Sequence, residues 1–170
     1  MRRFTTLLMA LLAIFAGATH ASAFEVKSYE GKFSMEFPGA PAANTIRDIG
    51  SCAATRHEYR FQDRGRIWVA SYQDCKPAGI LADLGHIEVF KRAVKGMLKA
   101  VKGDLRASDP IEVGVLQGRE VVAVVPGGLV LRQRFFIEGD RFYQNMYIGP
   151  LGSQDDPVVE AFFASFRVMR

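Results

Sequence analysis

Few residues in this chain have a type and spacing that could do chemistry. Cys52, His57, Cys75 and His86 supply four soft atoms of the kind that hold zinc, yet the intervening stretches of four, 17 and ten residues match no compact zinc pattern. No C-x-x-C is present, so the cysteines lack the spacing of a redox dithiol. Ser153 follows Gly152 without a G-x-S-x-G elbow, and no phosphate loop or dinucleotide fingerprint occurs. Gly127-Gly128 reads as a hairpin turn, and Asp155-Asp156 as a helix start rather than a metal pair. No catalytic residue, metal or cofactor is assigned on these grounds. Folding can still assemble a site from distant residues, so a small enzyme remains an alternative. That reading requires His57 or His86 in a cleft, within hydrogen-bond reach of a nucleophile or carboxylate.

Charge offers a different chemistry. Lys91, Arg92, Lys95, Lys99 and Lys102 lie within twelve residues and, at 100° per residue, cluster on one arc interrupted by Glu88. Such a stripe can meet lipid headgroups, acidic glycans or an acidic protein surface, and it can equally be the solvated face of a helix buried elsewhere. Arg56 and Arg60 share a strand face with Glu58, and Arg132 shares one with Arg134. These arginines are expected to cover sheet surface or pair with acids. Tyr59, Trp68, Tyr72 and Tyr143 sit on strands and are expected in the core.

The N-terminus indicates where this chemistry operates. Arg2 and Arg3 precede an apolar run from Leu7 to Ala18, and Ala21-Ser22-Ala23 supplies a small-x-small cleavage site. The run is shorter than the roughly 20 residues a membrane span needs. The expectation is a signal peptide over 1–23, cleaved after Ala23, and a single domain over 24–170 in the periplasm or outside the cell. Removing 23 of 170 residues leaves 147. The leader holds two of the 22 basic residues and none of the 18 acidic ones, so the formal charge falls from +4 to +2. That composition excludes a highly basic nucleic-acid binder, a disordered chain and a membrane-spanning protein.

Export also sets the meaning of the cysteines, because an even pair in an oxidising compartment is usually a disulfide. Residues 53–62 and 66–74 read as strands joined by Asp63-Arg64-Gly65. If Phe61 faces Arg66, Cys52 falls opposite Cys75. If Gln62 faces Arg66, the register shifts by one. A Cys52–Cys75 bond closing this loop would contribute roughly 3 kcal/mol in the chain-entropy model.

The elements that must position these groups follow from periodicity and breakers. Val26–Tyr29 and Lys32–Phe37 form short strands around Glu30-Gly31, and Pro38-Gly39-Ala40-Pro41 then breaks the chain. Thr45–Ile49 reads as another short strand. One long helix is expected from Ile80 to Lys102, capped by Gly103. Its apolar arc is Ile87, Phe90, Val94, Met97, Leu98 and Val101. A strip of mostly small residues (Gly85, Val89, Ala93, Gly96, Ala100) would allow close approach to a sheet. Ile111–Leu116, Arg119–Val125, Leu129–Ile137 and Arg141–Ile148 are rich in β-branched and aromatic residues. Short turns at Gln117-Gly118, Pro126-Gly127-Gly128 and Glu138-Gly139-Asp140 make them an antiparallel meander. Asp156-Pro157 opens a short final helix, anchored by Val159, Phe162, Phe163 and Phe166.

Several phrases then occur together. Phe33-Ser34-Met35-Glu36-Phe37-Pro38-Gly39-Ala40-Pro41 resembles the F-x-x-x-FPG-x-P opening of small exported bacterial proteins of unassigned function. Leu116-Gln117-Gly118-Arg119-Glu120 resembles their G-R-E strand entry. Arg132-Gln133-Arg134-Phe135 with Arg141-Phe142-Tyr143 is similar to their penultimate hairpin, and Phe162-Phe163-Ala164-Ser165-Phe166 to their F-x-x-SF close. The resemblance spans about residues 28–168. It implies an α+β fold like that of PsbP-like domains, an α/β/α sandwich around a mainly antiparallel sheet, and it brings no catalytic residues. The expected function is a non-catalytic binding or accessory domain acting on an envelope protein partner. The alternatives are peripheral binding of anionic lipid or glycan through the basic helix face, and the small enzyme described above. Nucleic acid is not an expected partner.

Overall fold

The computed structural model describes residues 23–47 and 55–169. The expected signal peptide over 1–23, all but its last residue, and Cys52 lie outside the described residues. Among the described residues, no helix is long and apolar enough to cross a membrane.

A seven-stranded antiparallel sheet forms the middle of the molecule. Its strands are β3 (Ala42–Arg47), β4 (Thr55–Asp63), β5 (Arg66–Asp74), β6 (Asp104–Val113), β7 (Leu116–Val125), β8 (Leu129–Glu138) and β9 (Arg141–Pro150), in the spatial order β3-β4-β5-β9-β8-β7-β6. The expected meander is present as β6 to β9. The closing pair, β5 with β9, joins segments about 70 residues apart in the chain, with Val69 opposite Met146.

Period-two alternation gives the sheet two chemically different faces. On β5, Trp68, Ala70 and Tyr72 belong to one core cluster. Val69, Ser71 and Gln73 point the other way. The first face packs against a three-stranded sheet of β1 (Phe24–Ser28), β2 (Phe33–Phe37) and β10 (Arg167–Val168), together with α3 (Pro157–Ala164). The second face carries α1 (Ile80–Leu84) and α2 (His86–Val101). The expected α/β/α sandwich therefore holds on one side only. On the other side, most of the cover is sheet, because Phe33, Met35 and Phe37 alternate inward from β2 as a strand and are fully buried.

Several local expectations are corrected. The β4–β5 hairpin turns on two residues, Arg64 (φ 45°) and Gly65 (φ 76°), and Asp63 faces Arg66. Two left-handed residues match the right-handed twist of the flanking strands, so Asp63 is left to pair within β4 instead of joining the turn. In this register Arg56 faces Gln73, so the observed pairing is neither of the two expected ones, and where Cys52 falls lies outside the described residues. Cys75 itself is buried beside Leu81 and Phe142.

The single long helix is two helices, because Gly85 adopts φ 72° and ψ 145° between them. The left-handed residue that ends α2 is Lys102 (φ 52°), and Gly103 follows it, donating its N–H to the Leu98 carbonyl at 3.0 Å. The buried face of α2 is Val89, Phe90 and Val94, with Ala93, Met97 and Leu98 beside it. Ile87 is excluded from that face and is 81% exposed.

Gly118 does not form a turn, since the β6–β7 turn is Gly114-Val115. Gly118 lies inside β7 because a Cβ there would stand 2.5 Å from both the Phe135 carbonyl oxygen and the Phe136 ring. Asp156-Pro157 does start α3, but the Asp156 carboxylate meets Arg66 at 2.8 Å instead of capping the helix.

Candidate functional site

The cleft between α1–α2 and the sheet has a volume of about 570 Å³, within the ~300–1,000 Å³ range of small-molecule sites. Its roof is aliphatic: Leu84, Val89, Ala93, Met97, Ala100 and Val101 project from the helices. The strip of small residues explains the opening. Val89, Ala93, Gly96 and Ala100 all border the cleft, and a Cβ on Gly96 would find no atom within 4 Å. The strip was expected to bring the helix close to the sheet. Instead its lack of bulk leaves a gap, because the larger side chains on the neighbouring arc carry the packing.

The floor is built by strand register. Arg56 on β4 faces Gln73 on β5, which faces Phe142 on β9. One row along, Glu58 faces Ser71, which faces Gln144, which faces Phe135 on β8. In the third row Val69 faces Met146, which faces Gln133. Polar side chains thus fill positions that a sheet under a helix normally gives to Val, Ile or Leu.

Their hydrogen bonding is incomplete. Gln133 Nε2 donates to Gln144 Oε1 at 3.1 Å, and the Ser71 hydroxyl reaches the Gln144 carbonyl at 3.4 Å. Arg56 Nε lies 3.9 Å from Glu58 Oε2, an ion pair beyond hydrogen-bond length. Arg56 Nε, Gln73 Oε1 and Gln133 Oε1 are shielded from solvent and have no hydrogen-bond partner among the described residues. Gln73 and Gln133 are 5% and 4% exposed. A buried polar atom left unpaired costs about 1–3 kcal/mol, so three around one opening call for a physical reason. Among the described residues Trp68 Nε1 and the Asn145 amide also lack a partner, but they lie on the opposite face and outside the lining of this cleft.

The other candidates from sequence fall elsewhere. Lys91, Arg92, Lys95, Lys99 and Lys102 are all exposed on the outer side of α2 and its cap. Arg92 is held by Glu88 at 2.9 Å and reaches the cleft rim. His57 stacks on Tyr72 with ring centroids 4.8 Å apart and planes 12° from parallel. The other side of Tyr72 meets Arg141, whose guanidinium carbon lies 5.1 Å from the ring centre. Arg141 in turn grips Asp74 through two bonds of 2.6 and 2.7 Å and donates to the Glu30 carbonyl at 2.8 Å. The Arg141 hydrogen bonds hold the Asp74 carboxyl below its ordinary range, while burial pushes the Tyr72 phenol up to about 12. The group is a clamp between the two sheets, with His57 as a packing residue.

His86 lies in a second, shallower groove of about 410 Å³ near Phe90 and Glu112. Among the described residues neither histidine makes a hydrogen bond to a nucleophile or carboxylate, and no cluster of three metal-ligating side chains occurs. Ser153 Oγ is engaged with Tyr147 Oη at 2.7 Å and with the Pro150 carbonyl at 2.6 Å. Tyr59, Trp68, Tyr72 and Tyr143 pack in the core, as expected.

Sequence reasoning missed the cleft. It identified Arg56 and Glu58 as sharing a strand face, but Ser71, Gln73, Gln133 and Gln144 were not singled out. Their signal was present: Ser71 and Gln73 alternate with Ala70 and Tyr72, and Gln133 sits between two arginines on a strand rich in apolar residues.

No protein-family model matches the chain. No curated protein matches it either. Among solved structures, the chain is similar to the solution structure of cyanobacterial PsbP (CyanoP) from Synechocystis sp. PCC 6803. The TM-score is 0.64 at 12% sequence identity, covering 89% of this chain and 95% of that one. This likeness shows a PsbP-like fold.

Proposed function

We propose that this chain is an exported, non-catalytic binding domain that holds a small amphipathic molecule in the cleft between α1–α2 and the sheet. The observation that carries the reading is the pairing of an aliphatic roof with a polar floor around a volume of about 570 Å³. Amides, a hydroxyl, an ion pair and aliphatic groups can hold and orient such a molecule. The domain's place is the periplasm or the extracellular space, where it serves as an accessory component of the cell envelope. Supporting this are the cationic start at Arg2 and Arg3, the apolar run and the Ala21-Ser22-Ala23 site. In that compartment Cys52 pairs with the buried Cys75. Intact mass and thiol titration of the exported protein test both points together. The expected product begins at Phe24 and has no free thiol; a full-length mass or two titratable thiols overturns the respective point.

Binding is tested with the neutral dye N-phenyl-1-naphthylamine, whose fluorescence rises in apolar surroundings. Wild type should give a saturable rise. Gly96→Phe places a ring at the cleft border, where a Cβ would meet no atom within 4 Å, and removes a helix-interior glycine, so stability should hold. Dye affinity should fall at least tenfold. A non-saturable wild-type signal, or equal binding by the variant, overturns the reading.

A second reading is favoured by one observation: all five cations of the α2 stripe are exposed. In this reading they dock the domain on an anionic lipid or glycan surface. Lys95→Glu with Lys99→Glu should then abolish salt-sensitive pelleting with phosphatidylglycerol vesicles and leave the melting temperature nearly unchanged. Wild type remaining in the supernatant at low salt excludes the lipid form of this reading.

A further inference from the structure

We infer that the molecule held in this cleft has an uncharged head rich in N–H or O–H donors, joined to a compact apolar body. This rests on the cleft being a binding site, as proposed above, and adds the chemistry of its occupant.

The first consideration is charge. Arg56 and Glu58 lie side by side on the floor, 3.9 Å apart, and offset each other. The cation at the rim, Arg92, is held by Glu88 at 2.9 Å. The floor therefore carries no surplus charge, and the further cation of the lining, Arg92, lies in solvent at the rim with its partner outside the cleft. An ionised head would lose its water without gaining a matched counter-charge, so the site disfavours carboxylates and ammonium groups.

The second consideration is the balance of donors and acceptors. Among the described residues, Gln73 Oε1 and Gln133 Oε1 are acceptors without a donor, whereas Arg56 Nε is one donor without an acceptor. The Glu58 carboxylate, buried beside them, adds further acceptor capacity. A head complementary to this floor offers at least two donors and one acceptor. A primary amide has that inventory, as does a pair of vicinal hydroxyls. Gln73 and Gln133 can turn about their terminal torsions to present these oxygens to the opening, a rotation with broad, shallow preferences.

The third consideration is position. Gln73 and Gln133 stand at opposite corners of the floor, with Phe142, Phe135 and Met146 around them, and Met97 and Val101 line the roof. Polar contacts are thus confined to the sheet side and the apolar body lies under the helix.

The test uses three probes with the same body and different heads: octanamide, octanoate and octylamine, each titrated below its aggregation limit and followed by NMR of the Met97 and Met146 methyl groups. Octanamide should bind saturably, at least tenfold tighter than either ion. In Gln73→Leu that preference should shrink several-fold while the weak octanoate affinity is unchanged, because only the head contact is lost. If octanoate or octylamine binds as tightly as octanamide, the head-group inference is overturned and the cleft reading survives. If none of the three shifts either methyl group, the cleft reading itself fails. The wild-type series needs no variant, so a folding defect in Gln73→Leu leaves the inference falsifiable.

Discussion

Replacing Phe33 with alanine should destabilise the domain by about 3–5 kcal/mol, the range for removing a buried aromatic ring. Phe33 is 1% exposed and meets four other rings. Tyr59 lies 5.9 Å away, Tyr72 and Tyr143 6.1 Å, and Phe166 6.0 Å between centroids, three of them edge-on. These rings come from β4, β5, β9 and the segment after α3, so one side chain joins the small sheet to the large one. Edge-to-face pairs add about 0.5–1.5 kcal/mol each beyond burial, and alanine leaves a cavity that so many rigid rings cannot collapse to fill. Urea unfolding followed by circular dichroism measures the loss. Phe24→Ala, on an exposed position of β1, is the control and should cost well under 1 kcal/mol. A Phe33→Ala loss as small as the control's would mean that the three-stranded sheet is not part of the cooperative core.

Arg132→Ala should cost about 1–3 kcal/mol, for an electrostatic reason. Arg132 is 7% exposed. It donates to Glu120 at 3.0 Å, to the Gln154 carbonyl at 2.9 Å and to Glu160 at 2.5 Å, and its guanidinium lies over the Phe163 ring. Arg134 pairs with the same Glu120 and covers the same ring. Truncating Arg132 leaves the partly buried Glu120 with Arg134 alone, removes a partner from the exposed Glu160, and takes one of two guanidinium groups off Phe163. Arg132→Met and Arg134→Met combined with Glu120→Leu remove both cations and their shared acid together and should be less damaging than the stranded charges predict, which separates stranded charge from lost packing.

The same network sets the acid limb of stability. Burial acts to raise the Glu120 carboxyl, but the hydrogen bonds from Arg134 and Arg132 outweigh it, and the group sits below its ordinary value of 4.5. A carboxyl lowered in the folded state contributes stability above its unfolded pKa, and that contribution is lost as pH falls through the folded one. Wild type should therefore lose stability as the pH drops below about 4.5, and Glu120→Gln should show a shallower decline over that window. Parallel acid limbs would show that Glu120 does not carry the effect.

How much of this was legible beforehand differs from residue to residue. The breakers around Lys32–Phe37 sufficed to identify β2, and the turn residues between β7 and β9 sufficed for that part of the meander, because both depend on neighbours a few residues apart. The pairing of Arg132 and Arg134 with an acid was expected in kind, but the partner was not, since Glu120 reaches them only through strand register. Gly118 was read as a turn because glycine has two common uses, and only the Phe136 ring above it distinguishes them. The split at Gly85 was missed for a related reason: a lone glycine inside a helical pattern is tolerated often enough that periodicity runs through it.

By itself the sequence determined local conformation and the two-faced character of the strands, through period-two and helical alternation, and it determined a basic outer side for α2. It also predicted a PsbP-like fold, which the structural likeness supports. Only the tertiary structure decided that β5 pairs with β9 and that the small sheet, not a second helix layer, covers one face. It also decided that the small residues of α2 open a cleft instead of closing one. The physical reason is common to all three. Each depends on which surfaces meet across long stretches of chain, and a strip of alanine and glycine has no preference of its own between close contact and open space. The bulkier side chains beside it, packed against the sheet, set that distance.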